Sequence, residues 1–148
     1  MLSHEAKERF GPETESKLSS VVELMAPRVE FVQQILEDGI YFFQEPSEID
    51  EKTIRKKWKE ESAIHLLTID QKLQLLEDFS RDNIEQTIKG YIQDNELSFG
   101  AILPLLRIAI SGTLKGPDLF AIFEVVGRVD SCARLTKSIS RFKNIANG

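Results

Sequence analysis

The chain has 148 residues, of which 41% are hydrophobic and 29% charged, as is typical of one globular domain or two small ones. No stretch approaches the roughly 20 apolar residues of a membrane span, and Met1–Arg9 lacks the apolar run of a signal peptide. We therefore expect a cytoplasmic protein with no membrane partner. The one cysteine and the two distant histidines exclude an internal disulfide and a cysteine-cluster metal site. We expect no metal.

The charges are distributed unevenly along the chain. Residues 1–96 contain 12 Lys/Arg and 21 Asp/Glu, whereas residues 97–148 contain 7 and 3. The net charge of −5 disfavours a general nucleic-acid-binding surface, which usually requires a strongly basic domain. The charge count does not exclude a local basic patch in the last third of the chain.

Helical periodicity recurs along the whole chain, and no segment alternates in the manner of a strand. We therefore predict an all-α protein of short helices. The stretch up to residue 11 is predicted to be frayed, and helices are predicted to begin at Pro12 and Pro27. Further helices are predicted over 50–58, 64–79 and 82–93, with Ser80 as the N-cap of the last of these.

The last third of the chain is predicted to contain three more helices. The first, 99–111, is apolar apart from Arg107 and contains Pro104, which should kink it. A glycine-rich turn follows, and Asp118 is predicted to cap the next helix. A final helix is predicted to open at Asp130, with Arg134 on its exposed side.

No constellation of residues predicts catalysis. The sequence has no glycine-rich phosphate loop following a strand. Cys132 is predicted in the first turn of a helix, where the dipole lowers a thiol pKa, but no histidine is close in sequence and we favour a structural thiol. We predict no catalytic residue and no cofactor in this chain, and we favour a binding module over an enzyme.

The candidate binding residues each admit two interpretations. Arg107 is either an ion-paired arginine whose stem packs on apolar neighbours or an arginine whose guanidinium donates two parallel hydrogen bonds, as a fork, to a base edge or phosphate. The turn at 116–120 is either core or an apolar shelf for a splayed RNA base. Arg28, which follows a proline, and Lys89, which precedes a glycine, are open to the same two interpretations.

Several short segments also follow one another at a familiar spacing. They are ELMAPRV (23–29), YFF (41–43), LLRIAISG (105–112), GPDLF (116–120), EVVG (124–127) and ARL (133–135). From about Leu18 to Phe142, this pattern resembles the C-terminal anticodon-binding region of bacterial-type glutamyl-tRNA synthetases.

The resemblance implies two small helical subdomains, 1–95 and 96–148, which form an α-helical cage around the anticodon loop of glutamate tRNA. Arg28 would contact the first anticodon base, and the turn at 116–120 would meet the second and third. Lys89 would keep the charge of a basic residue in the family but lacks the fork of an arginine. The RNA-binding residues that the resemblance implies are Arg28, Lys89, Arg107, Gly116, Pro117, Leu119 and Phe120.

The resemblance also concerns a larger parent enzyme. The family's catalytic domain carries HIGH-like and KMSKS-like motifs for ATP, and neither occurs in this sequence. We expect a fragment that is inactive alone and works with the catalytic domain of the same polypeptide, a monomeric glutamate–tRNA ligase that uses ATP and Mg²⁺. Two alternatives are a helical protein-interaction scaffold, which the acidic first two-thirds favours, and a stand-alone paralogue without synthetase activity.

Overall fold

The computed structural model describes residues 40–46 and 48–147. These residues form a 3-10 turn and six α-helices without a strand, and the predicted all-α class is confirmed. The 3-10 turn is Ile40–Phe42, and the helices are α1 (Glu51–Lys57), α2 (Ser62–Gln74), α3 (Arg81–Asp94), α4 (Phe99–Ser111), α5 (Leu119–Val126) and α6 (Arg128–Asn147). The helix starts predicted at Pro12 and Pro27 lie outside the described residues.

Short polar side chains determine where three of the helices begin. Asp50, Ser80 and Asp118 each accept a hydrogen bond from the backbone N–H three residues later, at 3.1, 3.3 and 2.9 Å. Each oxygen satisfies one of the N–H groups that a helix N-terminus leaves without a partner. The caps predicted at Ser80 and Asp118 are confirmed. Ser98 occupies the N-cap position of α4 without a capping hydrogen bond from its side chain.

The long helix α6 organises the core. It packs against α1, α2, α4 and α5, and α3 packs on α2 and α5. The buried side chains form one cluster that includes Phe42, Leu66 and Ile88 as well as Ile108 and Phe142. The predicted division into 1–95 and 96–148 also concerns residues 1–39 and stays a prediction.

Two helices differ from their predicted bounds by two residues or more. The helix predicted over 64–79 spans Ser62–Gln74. It ends at Gln74 because the N–H of Leu75 bonds to the carbonyl of Lys72 at 3.2 Å and thereby tightens the last turn. The final helix begins at Arg128 instead of Asp130.

The exposed position predicted for Arg134 is wrong. Its side chain is only 5% exposed. Its Nη1 donates to the carbonyl oxygens of Tyr41 at 2.6 Å and Ile110 at 2.7 Å. Arg134 therefore joins the 3-10 turn and the end of α4 to α6.

Gly112 ends α4 in a left-handed conformation, with φ of 84°. A Cβ at this position would lie 2.7 Å from the carbonyl oxygen of Glu48 and 2.8 Å from Cβ of Pro46. Gly112→Ala should therefore lower the free energy of unfolding by about 2–5 kcal/mol, because it adds both backbone strain and overlap. Urea denaturation of the two proteins measures this loss.

Gly90 is the matched control for this substitution. It lies within α3, and a Cβ there would have no neighbour within 4 Å. Gly90→Ala should therefore stabilise the protein by about 0.5–1 kcal/mol, since alanine has the lower conformational entropy in the unfolded chain. Equal stabilities for the two alanine variants would contradict the geometry described for Gly112.

Candidate nucleic-acid interface

An open groove lies between α3, α4 and the turn that leads into α5. Its volume is about 490 Å³. Four of the residues predicted to bind RNA line this groove: Lys89, Arg107, Leu119 and Phe120. We call it the α4 groove. The fold brings these residues together although Lys89 and Phe120 lie 31 positions apart in the sequence.

Gly116 and Pro117 lie at the edge of the same turn. Gly116 has φ of 133°, and a Cβ there would lie 3.1 Å from the Tyr41 hydroxyl and 3.5 Å from Nη1 of Arg107. The absence of a side chain therefore lets the turn approach the Arg107 guanidinium. Pro117 is buried. Arg28 lies outside the described residues, and its predicted role stays a prediction.

Two cations lie over the aromatic ring of Phe120. Nζ of Lys89 is 5.5 Å and Cζ of Arg81 is 5.8 Å from the ring centroid, within the range of a cation–π interaction. The Phe120 side chain is almost fully buried. The ring is therefore fixed in place at one wall of the α4 groove.

Glu85 joins these two cations along one face of α3. Its Oε1 is 2.9 Å from Nη1 of Arg81, and its Oε2 is 2.7 Å from Nζ of Lys89. The residues are spaced four apart, so their side chains are neighbours on the helix surface. Hydrogen bonds from Lys89 and then from Arg81 lower the pKa of Glu85. The charge of Lys89 is thus compensated before any ligand binds.

Arg81 also forms a two-pronged ion pair with Asp118. Its Nε and Nη2 donate to Oδ2 and Oδ1 of Asp118 at 2.8 and 3.1 Å, the bidentate geometry that suits a guanidinium. Burial by itself would raise the pKa of Asp118, but the hydrogen bonds from Arg81 and from the N–H of Ala121 outweigh it and lower that pKa. The pair ties the start of α3 to the start of α5.

The α4 groove combines balanced charge with apolar surface. The charged residues Lys89, Arg107, Glu85 and Asp118 line it together with leucine and phenylalanine side chains. Pro104 has no N–H and cannot donate to the carbonyl of Gly100 one helical turn earlier, and Gly100 also lines the groove. Such a surface offers donors, acceptors and a flat apolar face to a neutral ring with polar edges.

Residues 2–139 of the chain match the family described as the anticodon binding domain. The chain belongs to this family. It is 34% identical over 126 residues to the glutamate–tRNA ligase of Christiangramia forsetii, an alignment that covers 85% of this chain and 25% of that protein. With the glutamate–tRNA ligase of Flavobacterium johnsoniae it shares 37% identity over 120 residues, which covers 81% of this chain and 24% of the relative.

A solved structure shows the same similarity. The crystal structure of a glutamate tRNA ligase from Elizabethkingia meningosepticum in complex with its amino acid superposes with a TM-score of 0.86 at 29% identity. The match covers 94% of this chain and 28% of that one. The anticodon-binding domain described here thus spans about a quarter of the length of these ligases. The resemblance to the anticodon-binding region of glutamyl-tRNA synthetases is confirmed.

Sequence reasoning about the anticodon-binding domain missed two charged residues: Glu85, which lines the α4 groove, and Arg81, which pairs with Glu85 and Asp118 beside it. Arg81 lies 37 residues from Asp118 in sequence, and helical periodicity says nothing about a pair at that distance. The four-residue spacing of Arg81, Glu85 and Lys89 was the available signal. Asp118 was predicted as a cap only, and the structure shows that its carboxylate both caps α5 and pairs with Arg81.

The lowered pKa of Asp118 predicts how the stability of the anticodon-binding domain depends on pH. The folded-state pKa lies below the ordinary value of 3.8, so the carboxylate contributes stability that is fully present above that value. The contribution is lost as the pH falls through the folded-state pKa. Asp118→Asn keeps a capping side chain but has no charge to lose, and its stability should fall less steeply below about pH 4.

Urea denaturation at a series of pH values between neutral and acid conditions measures this difference. Asp94→Asn is the control, because Asp94 is an exposed carboxylate at the other end of α3. That variant should follow the wild-type pH dependence. The same acid dependence for Asp118→Asn and wild type would show that the ion pair with Arg81 contributes nothing.

Cys132 has the properties of a structural thiol. It is buried, and its Sγ lies 3.9 Å from the carbonyl oxygen of Asp70. Burial, followed by the hydrogen bond with Asp70, raises the pKa of Cys132 to about 12, so the thiolate needed of a nucleophile is scarce at neutral pH.

Within 40–46 and 48–147, no group of three or more His, Cys, Asp or Glu residues is placed to hold a metal ion. No helix of that part of the chain is long and apolar enough to cross a membrane.

Proposed function

We propose that this anticodon-binding domain recognises the anticodon loop of a glutamate tRNA and holds one unstacked base in the α4 groove. The observation that carries the proposal is the convergence of Lys89, Arg107 and Phe120 on one open surface beside the turn at 116–120. Single-stranded RNA bases are recognised by packing of the ring face and by hydrogen bonds to its edges. The groove supplies both kinds of contact.

The side chains of the groove take different parts in this recognition. Arg107 presents a rigid fork of N–H donors from the middle of α4, which suits paired acceptors on a base edge. Leu119 provides an apolar shelf for the ring. Gly116 leaves the backbone of the turn accessible. Arg28 and Pro117 complete the set by resemblance, with Arg28 at the first anticodon base.

The balanced charge of the groove supports a base over a phosphate as its occupant. Glu85 compensates Lys89 at 2.7 Å, and Asp118 contributes a second carboxylate to the lining. A phosphate would meet two carboxylates as well as two cations, and like charges at close range are unfavourable. A neutral base meets no such penalty.

The whole protein, in this proposal, is a glutamate–tRNA ligase. A catalytic domain elsewhere in the same polypeptide joins glutamate to tRNA with ATP and Mg²⁺, and the present chain positions the tRNA for it. The chain by itself is inactive in aminoacylation. It acts in the cytoplasm as part of a monomeric enzyme. The division into subdomains 1–95 and 96–148 around the anticodon loop belongs to the same proposal.

A filter-binding titration with an anticodon stem-loop of glutamate tRNA tests this function. The control RNA has the same stem and the same loop length, with all three anticodon bases replaced. The native loop should bind about tenfold or more tightly than the control, and both affinities should fall with salt because phosphate contacts add to each. Equal affinities would contradict the proposal. No binding to either RNA at low salt would favour the protein-interaction scaffold instead.

A further inference from the structure

A second cavity lies where α6 crosses the end of α4 and the chain that precedes α1. Its volume is about 260 Å³. Three cations, one carboxylate and two small residues contribute to its lining: Arg134, Lys137, Arg141, Glu45, Ala109 and Ser138. None of its lining residues belongs to the α4 groove. We call it the α6 cavity.

Among the described residues that line the α6 cavity, three are cations and one is a carboxylate. Arg134, Lys137 and Arg141 occur at positions three and four apart on α6 and so lie on one face of that helix. Lys137 pairs with Glu45 at 2.6 Å, and Arg141 donates to the carbonyl oxygen of Pro46 at 3.3 Å. Glu45 is the one acidic residue among the described residues that line the cavity. This charge differs from the balance found in the α4 groove.

Arg134 contributes a buried charge to this cavity. Both of its hydrogen bonds go to neutral carbonyl oxygens, and in the described part of the chain no carboxylate lies within ion-pair distance of its guanidinium. Burial lowers the pKa of Arg134, and the more distant Asp130 and Glu45 oppose that shift. A buried cation without a charged partner is unfavourable. An anion in the cavity would remove part of this cost.

We propose that the α6 cavity is a binding site for a phosphate group. The cations of α6 approach the group from one side, and the Ser138 hydroxyl supplies a further donor. Ala109 is small enough to leave space for the oxygens on the α4 side. The group is either a free phosphate or phosphomonoester, or a backbone phosphate of a bound RNA. The inference does not depend on base recognition in the α4 groove.

Titration of the isotope-labelled chain with inorganic phosphate tests the site directly. Ionic strength is held constant with chloride, and the backbone amides are followed by NMR. Saturating shifts are expected at Ala109 and Ser138, with none at Gly100 and Phe120 in the α4 groove. Arg141→Gln should weaken phosphate binding about tenfold. Lys143→Gln is the matched control, because it removes a charge from the same helix outside the cavity and should leave binding unchanged.

Glu45→Gln separates a phosphate site from a purely structural ion pair. The substitution removes the carboxylate that competes for Lys137, so phosphate should bind about threefold more tightly. A structural role for the Glu45–Lys137 pair predicts no tightening.

A second titration, with an anticodon stem-loop in place of phosphate, distinguishes a free phosphate from a backbone phosphate of RNA. If the stem-loop shifts the amides of Ala109 and Ser138 and added phosphate reverses those shifts, the site binds an RNA backbone phosphate. If phosphate binds and the stem-loop does not compete with it, the site binds a free phosphate. Absence of saturating shifts at these amides with both probes, or equal shifts in chloride alone, would overturn the proposal. Shifts confined to the α4 groove would overturn it as well, while leaving base recognition intact.

Discussion

Arg107→Ala should weaken binding of the glutamate tRNA anticodon stem-loop by about ten- to a hundredfold, the cost of losing one bidentate contact to a base. The guanidinium lines the α4 groove, and its Nη1 would lie 3.5 Å from a Cβ placed on Gly116. Its loss leaves the apolar shelf of the groove in place but removes the donors that read the base edge. Filter binding with the native stem-loop measures the effect.

Two further variants separate the fork from the charge. Arg107→Lys keeps the charge and loses the fork, so it should recover only a small part of the affinity. Arg55→Ala is the matched control, because Arg55 is an exposed arginine on α1 that pairs with Glu51 in its own helix. The control should bind RNA as wild type does. A correctly folded Arg107→Ala protein with wild-type affinity would show that Arg107 has no part in recognition.

Arg134→Met should lower the free energy of unfolding by about 2–5 kcal/mol, because two buried carbonyl oxygens lose their donor. These are the oxygens of Tyr41 and Ile110, which Nη1 contacts at 2.6 and 2.7 Å. Methionine keeps much of the apolar stem, so the loss reports the hydrogen bonds more than the packing. The consequence should extend to the 3-10 turn, since Arg134 joins it to α6.

Urea denaturation of Arg134→Met and wild type measures this loss. Lys143→Met is the control on the same helix, because Lys143 is exposed. Its stability should lie within about 0.5 kcal/mol of wild type, as for most surface substitutions. A loss below about 1 kcal/mol for Arg134→Met would mean that the two carbonyls find other donors.

The sequence was most informative about local structure. The all-α class follows from periodicity, and the caps at Ser80 and Asp118 follow from side chains that bond to N–H groups three residues away. The resemblance predicted that Lys89, Arg107 and Phe120 act together, and the structure places these three in one groove. Their roles toward RNA stay predictions.

The features that the sequence did not reveal depend on packing between distant segments. A helix that packs on one neighbour has one buried face, and that rule placed Arg134 on the outside. Because α6 contacts α1, α2, α4 and α5, its buried surface is wider than one stripe and includes this arginine. The ion pair of Arg81 with Asp118 likewise depends on the approach of α3 to α5, which neither periodicity nor local spacing specifies.

A double-mutant cycle between Arg107 and the anticodon bases shows whether the α4 groove holds one base of the anticodon. The Arg107→Ala protein and the wild type are each titrated with the native stem-loop and with loops in which one anticodon base is replaced at a time. At one position the base change should cost the wild type about 1–3 kcal/mol and the variant almost nothing, and at the other two positions the effects should add to within about 0.5 kcal/mol. Additive effects at all three positions would show that Arg107 and the α4 groove contact none of these bases.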